Sequence, residues 1–270
     1  MTHKDDALQD ILVIARHHGI TPNEIVEAMR DPQPVEVKRS SGILSKLFGY
    51  IGGIFVFAGI GVFISMYWSD FGSAARVIVT LGTGFVAFLM AVACLTDKRY
   101  ERAATPLILM ALLLEPMGIF VMLDEYSSGG DPRHGVLFMA TFMLIQQGAT
   151  FLAKRLTVMA FAAIFFASVF FVTLFDLWEM DGKLVGMVMG SSLMCVAYAL
   201  SQSRHQAIAP FWHLVGSVSL LFAVFDTVED TAYELLFLGL SAFIIYLSTA
   251  IRSGVLMLVG TLSMLSYIGY

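Results

Sequence analysis

From residue 48 onward, long apolar stretches alternate with short polar breaks. The apolar runs lie at 48–67, 75–95, 104–123, 135–153, 156–175, 184–201, 207–226, 233–251 and 254–270. Each is close to the ~20 residues that a helix needs to cross a ~30 Å hydrocarbon core. The pattern predicts an all-α polytopic membrane protein of about nine transmembrane helices. The breaks are too short to hold a folded loop domain.

The first 40 residues have a different pattern. Leu8, Ile11, Leu12 and Ala15 recur at helical spacing, and Gly19 is placed as a stop. Thr21, Pro22 and Glu24 then supply an N-cap, a proline in the first turn and a capping-box acid, and Ile25, Val26 and Met29 give the next helix an apolar edge. The expectation is a small helical hairpin plus a proline-broken linker (1–40), followed by a transmembrane helical domain (41–270). Such a hairpin is too small to hold a core alone, so it is expected to dock on a protein partner or on its own membrane domain. With no cleavable signal peptide visible, the first span is expected to act as the insertion signal.

Charge sets the orientation. With the N-terminus cytoplasmic, that side holds Lys4, Arg16, Arg30, Lys38, Arg39, Lys46, Lys98, Arg99, Arg102, Lys154, Arg155, Arg204 and Arg252. The other side holds only Arg76, Arg133 and Lys183. This asymmetry follows the positive-inside rule and predicts a multi-pass cell (inner) membrane protein with its N-terminus in the cytoplasm. Acids show the opposite bias: Asp70, Asp124, Glu125, Asp131, Asp176, Glu179, Asp181, Asp226, Glu229, Asp230 and Glu234 all fall on the outer face. Trp68, Tyr126, Trp178 and Tyr233 lie at the same level, where an aromatic belt belongs.

Composition agrees, with 58% hydrophobic residues and 14% charged, against about a quarter charged in soluble domains. The net charge of −5 argues against nucleic acid as a partner. Cys94 and Cys195 lie in separate apolar runs and read as small apolar residues.

Inside the spans, Gly49 and Gly53, and Gly182, Gly186 and Gly190, are spaced four apart, which lets helix backbones approach closely. This shared glycine use in the first and sixth spans hints at an inverted repeat. Glu115 is the one carboxylate deep within a span, and Pro116 follows it. A charge there costs at least ~2.5 kcal/mol, so the side chain is expected to face protein. Gln146 and Gln147 sit at similar depth and His213 lies on the cytoplasmic half of the seventh span, giving a candidate mid-membrane polar cluster of Glu115, Gln146, Gln147 and His213. It serves either as a proton or cation site or as a neutral lock between helices. Asp124, Glu125, Asp131 and His134 form a candidate outer cation site, against the alternative of a solvated acidic face.

No HExxH, GxSxG, Walker or GxGxxG pattern occurs, so neither enzymatic activity nor a cofactor is expected. Three stretches resemble the predicted membrane proteins grouped as domain of unknown function 2157 in prokaryotes. They are HGITPNEIVEAM, the glycine-rich GGIFVFAGIGVFISMYWSDFGSAAR, and GIFVMLDEYSSGGDPRHGVLF with Gly118, Tyr126, Gly129, Gly130 and Asp131 in matching places. Tyr67 and Asp124 depart from the asparagine and glutamine usual there. The resemblance implies a helical membrane fold and supplies no mechanism. Two functions stay open: a transporter or channel-like protein for cations or a proton-coupled solute, and a non-catalytic scaffold or assembly factor. A water-accessible path to Glu115 would favour the first, a dry and close-packed surround the second.

Overall fold

The computed structural model describes residues 64–269 apart from Lys98 and Asp230. Upstream it describes only Val13, Ala15, Gly19, Thr21, Asn23, Ile51, Phe55, Gly59, Gly61 and Val62. The chain divides into two compact units, Met1–Tyr67 and Trp68–Tyr270. In the first, Val13, Ala15, Asn23, Ile51, Phe55, Gly59, Gly61 and Val62 are helical, and Gly19 takes the left-handed φ of 69° that suits a glycine stop. The rest of the expected hairpin and most of the first expected span, Gly49 and Gly53 included, lie outside the described residues.

The second unit is built of helices, with no strand among the described residues. Numbered from Ser73, they are α1 (Ser73–Cys94), α2 (Glu101–Tyr126), α3 (Pro132–Lys154), α4 (Thr157–Leu177), α5 (Gly182–Ser201), α6 (Ala209–Val228), α7 (Leu235–Ile251) and α8 (Gly254–Gly269). All eight fall on expected apolar runs to within a few residues. The first six are long and apolar enough to cross a membrane, whereas α7 and α8 have only 17 and 16 residues.

Local chemistry fixes the helix ends. Asp131 caps α3 by accepting from the Arg133 amide, with Pro132 in the first turn, and Asp181 caps α5 through the Lys183 amide in the same way. The other ends of α3 and α7 stop on Arg155 and Arg252, both left-handed, at φ 54° and 57°. A β-carbon makes that conformation cost roughly 1–2 kcal/mol; here it turns the chain sharply into α4 and α8.

Consecutive helices pack as four hairpins, α1–α2, α3–α4, α5–α6 and α7–α8, with closer packing inside each of them than between them. Glycines set two of the crossings. A Cβ on Gly118 of α2 would fall on the Leu81 backbone of α1, and one on Gly84 of α1 would lie 2.8 Å from the Glu115 amide nitrogen. At α5–α6, a Cβ on Gly190 would lie 2.6 Å from Leu220 N, and one on Gly216 would lie 2.9 Å from Met194 N. Without a hydrophobic drive between helices in lipid, such backbone approach is what the bundle gains from packing.

The outer surface is apolar. Leu113, Leu152 and Phe222 are 75%, 76% and 72% exposed, while Glu115, Gln147 and Ser217 are fully buried. Water would penalise that distribution, and a bilayer matches it. The chain is a helical membrane protein.

Candidate functional site

The deepest polar group is where α2 meets α3. Glu115 has no exposed surface. Both of its carboxyl oxygens accept from Gln146 Nε2 of α3, at 3.0 and 2.9 Å. On its other side, α1 approaches so closely at Gly84 that a methyl group there would meet the Glu115 backbone and Cγ. Pro116 has no amide hydrogen to donate, so one turn of α2 beside the carboxyl lacks its usual bond. Opposite, α1 widens into a π turn over Ile78–Gly82, a feature often found at functional sites.

Of the four residues expected to cluster, Glu115 and Gln146 are hydrogen-bonded. Gln147 is also fully buried on α3, but neither atom of its amide has a hydrogen-bond partner, and the same holds for Gln146 Oε1. His213 stands apart. It is 2% exposed on α6, its two ring nitrogens bond to nothing, and its main-chain carbonyl accepts from Ser217 Oγ at 2.6 Å. No hydrogen bond joins it to the Glu115–Gln146 pair. Depth in the sequence puts Gln146 and Gln147 level with Glu115, and His213 on the cytoplasmic half of its span, but only packing decides which helices are neighbours.

At the end that carries the acids, charges are paired. Arg76 in the first turns of α1 reaches Glu125 in the last turn of α2 at 2.6 Å, and its Nε donates to the Trp68 carbonyl. Arg133 at the start of α3 bridges Asp131 at 2.7 Å and Asp176 at the end of α4 at 3.6 Å. Lys183 at the start of α5 donates to the Asp226 carbonyl at the end of α6 at 2.6 Å. Each of the first three hairpins is therefore tied across its open end by a cation from its first helix and an acidic residue from its second. The last two ties span 43 residues each, and Phe175-Asp176…Glu179 recurs as Phe225-Asp226…Glu229. This recurrence of Asp-x-Arg/Lys and Phe-Asp-x-x-Glu was the available sequence signal for the ties. Unlike the inverted repeat hinted at by the glycines, it relates helices running the same way.

The four outer candidates separate accordingly. Asp124, Asp131 and His134 line one cavity of about 510 Å3 between α2 and α3, whereas Glu125 is held by Arg76. Among the described residues, no group of three or more His, Cys, Asp or Glu side chains is arranged to hold a metal ion. The Arg133 side chain hydrogen-bonds to Asp131, and with the Arg133 amide it holds that carboxyl below its usual range. The tie should therefore stabilise the protein above pH ~4 and fade as pH falls through the lowered folded-state value. Since the pair is partly exposed, the effect is small. The melting difference between wild type and Asp131→Ala should shrink below about pH 4; a difference that grows there would contradict the pairing.

Of the glycines expected to pack, Gly186 and Gly190 lie against α6, Gly186 with Ala223 as its nearest neighbour, while a Cβ on Gly182 would meet nothing within 4 Å. Two interhairpin contacts carry no signal in the hydropathy pattern. Thr157 Oγ1 lies 2.9 Å from His205 Nδ1, and the Trp212 ring of α6 packs on Phe161 of α4 with centroids 5.3 Å apart.

Neither the curated proteins nor the solved structures contain a match to the chain. Residues 16–148 match the model of a family described as Predicted membrane protein (DUF2157). That segment includes Glu115, Gln146, Gly84 and Gly118, so the contacts of Glu115 with α1 and α3 lie within the matched region. Over residues 16–148, just under half of its length, the chain is similar to the predicted membrane proteins of the domain of unknown function 2157 family.

Proposed function

We propose that the protein is a non-catalytic membrane scaffold or assembly factor, in which the Glu115–Gln146 pair fastens the first two hairpins together. The observation that carries this reading is the closed surround of Glu115. The carboxyl is fully buried, bonded to an amide and pressed against a glycine backbone. Four cavities, of about 460, 290, 520 and 510 Å3, are lined by other residues; Glu115, Gln146 and Gln147 line none of these four. A working ion or proton site needs a route for its ion.

In this reading the chain has nine spans, its N-terminus in the cytoplasm of the inner membrane, and an N-terminal hairpin that recruits a protein partner. Reporter enzymes active only outside the cytoplasm should work when fused in 124–134 or 226–234 and fail when fused after Lys98 or Arg155. Activity after Arg155 would overturn the topology. Deleting residues 1–36 should leave insertion intact, because Lys38, Arg39 and Lys46 still flank the first span; loss of insertion would contradict the division of labour.

The second reading, a proton- or cation-coupled transporter, draws support from the π turn, Pro116, the unpartnered Gln146 Oε1 and the unpartnered Gln147 amide. Purified protein in proteoliposomes separates the two. The scaffold reading predicts no flux of protons or monovalent cations above empty vesicles. Flux that disappears in Glu115→Gln would replace it with transport.

A further inference from the structure

Between the second and third hairpins, at the acidic end, lies a cavity of about 520 Å3, inside the range of roughly 300–1,000 Å3 typical of ligand sites. Arg133 and Asp176 stand at its mouth, Val172 and Thr173 line it from α4, and Gly182 and Ser219 line it from α5 and α6. Val172 is 46% exposed, so the cavity opens sideways toward the hydrocarbon as well as outward.

Two independent features point to an occupant. The first is an unpartnered hydroxyl on a buried residue. Thr173 is only 9% exposed and its hydroxyl has no hydrogen bond among the described residues. Thr80, Thr141, Thr150 and Thr227 show the usual behaviour in an apolar helix, each donating to the carbonyl one turn back. A hydroxyl that forgoes this bond while lining a cavity is a free donor or acceptor for what enters.

The second feature is charge of both signs with capacity to spare. Asp131 is used up by the amide and side chain of Arg133. Arg133 reaches Asp176 only through Nη1, at 3.3 Å to the carbonyl and 3.6 Å to the carboxyl. The latter is longer than a hydrogen bond. The guanidinium can therefore still accept an anion, and the Asp176 carboxylate a cation, side by side at the level of the membrane interface.

We propose that this cavity binds a phospholipid with a zwitterionic phosphate–ammonium headgroup. The phosphate sits on Arg133, the ammonium on Asp176, the Thr173 hydroxyl donates to an ester carbonyl, and an acyl chain leaves past Val172. Arg favours phosphate because its planar fork offers several donors to one anion. Gly182 makes room for the lipid, since a side chain there would point into empty space and not into a neighbouring helix.

The test uses the full chain in nanodiscs of phosphatidylcholine doped with a phosphatidylethanolamine that carries a photoreactive acyl chain. A matched phosphatidylglycerol probe has the same tail and phosphate but no ammonium. Peptides containing Val172 and Gly182 should be labelled about fivefold more by the ethanolamine probe, the ratio that about 1 kcal/mol of preference gives. Gly182→Leu, whose Cβ would meet nothing within 4 Å and whose branched end would occupy the cavity, should bring labelling down to the level of the phosphatidylglycerol probe. Asp176→Asn, a partly exposed change with little bearing on folding, should remove the headgroup preference while the melting temperature holds. Equal labelling by both probes, unchanged by Gly182→Leu, would mean ordinary boundary lipid and would overturn the site. Displacement of the probe by excess soluble phosphoethanolamine would also overturn the lipid as occupant, leaving the free headgroup compound as the ligand.

Discussion

Substituting Gly118 by alanine should lower the thermal stability of the detergent-solubilised protein more than any other small change in the bundle. The added methyl group falls on the Leu81 main chain, and a main chain cannot rotate aside as a side chain does. Helices α1 and α2 would have to separate, at a cost at or above the upper end of the ~1–3 kcal/mol usual for overpacking. Gly190→Ala, whose methyl would sit 2.6 Å from Leu220 N, should cost ~1–3 kcal/mol at the α5–α6 crossing. Gly148→Ala is the control, since its methyl meets nothing within 4 Å. It should be neutral or stabilising by up to about 1 kcal/mol, because alanine loses less backbone freedom on entering a helix. Comparable losses at Gly118 and Gly148 would mean that the crossing is not made as described.

The second large effect is expected at Glu115. Glutamine keeps the shape and the hydrogen-bonding capacity of the side chain, and its amide can still pair with Gln146, so Glu115→Gln should melt within about 1 kcal/mol of wild type. Leucine fills similar space but leaves Gln146 Nε2 buried without an acceptor. Glu115→Leu should therefore lose ~0.6–2 kcal/mol from the interhelical bond, with up to about 1–3 kcal/mol for stranding the amide. Thermal melts of both variants beside wild type give the comparison. A glutamine variant as unstable as the leucine one would show that the carboxyl does something an amide cannot.

Helix number and position in the second unit were legible because lipid imposes one rule on every helix: about 20 apolar residues and all main-chain bonds satisfied within the segment. The same rule hides the interior. Hydropathy treats Leu113, 75% exposed, and Ile108, fully buried, alike, since both surroundings are apolar. Glu115 could be read as facing protein from its cost alone, but its choice of Gln146 over Gln147 depends on how α3 is rotated. His213 is the other ionisable residue well inside an apolar run, yet α6 packs chiefly on α5, with further contacts to α7 and α8. The outer acids read as one negative mouth, whereas Glu125, Asp131, Asp176 and Asp226 each lie within 4 Å of Arg76, Arg133 or Lys183. Pairs 43 and 49 residues apart become neighbours only once the hairpins have closed.

The closure of the protein around Glu115 is tested most directly by cysteine accessibility one turn to either side of it on α2. With Cys94 and Cys195 replaced by serine, single cysteines go at Ala111 and Ile119, which are 0% and 2% exposed, and at Ser127 in the loop as a control. Membranes are then treated with a small hydrophilic thiol reagent. Ser127→Cys should react readily, while Ala111→Cys and Ile119→Cys should stay unmodified on the same timescale until the protein is denatured. Reaction at Ala111→Cys or Ile119→Cys as fast as at the loop control would mean that water reaches Glu115, and the dry lock would be contradicted.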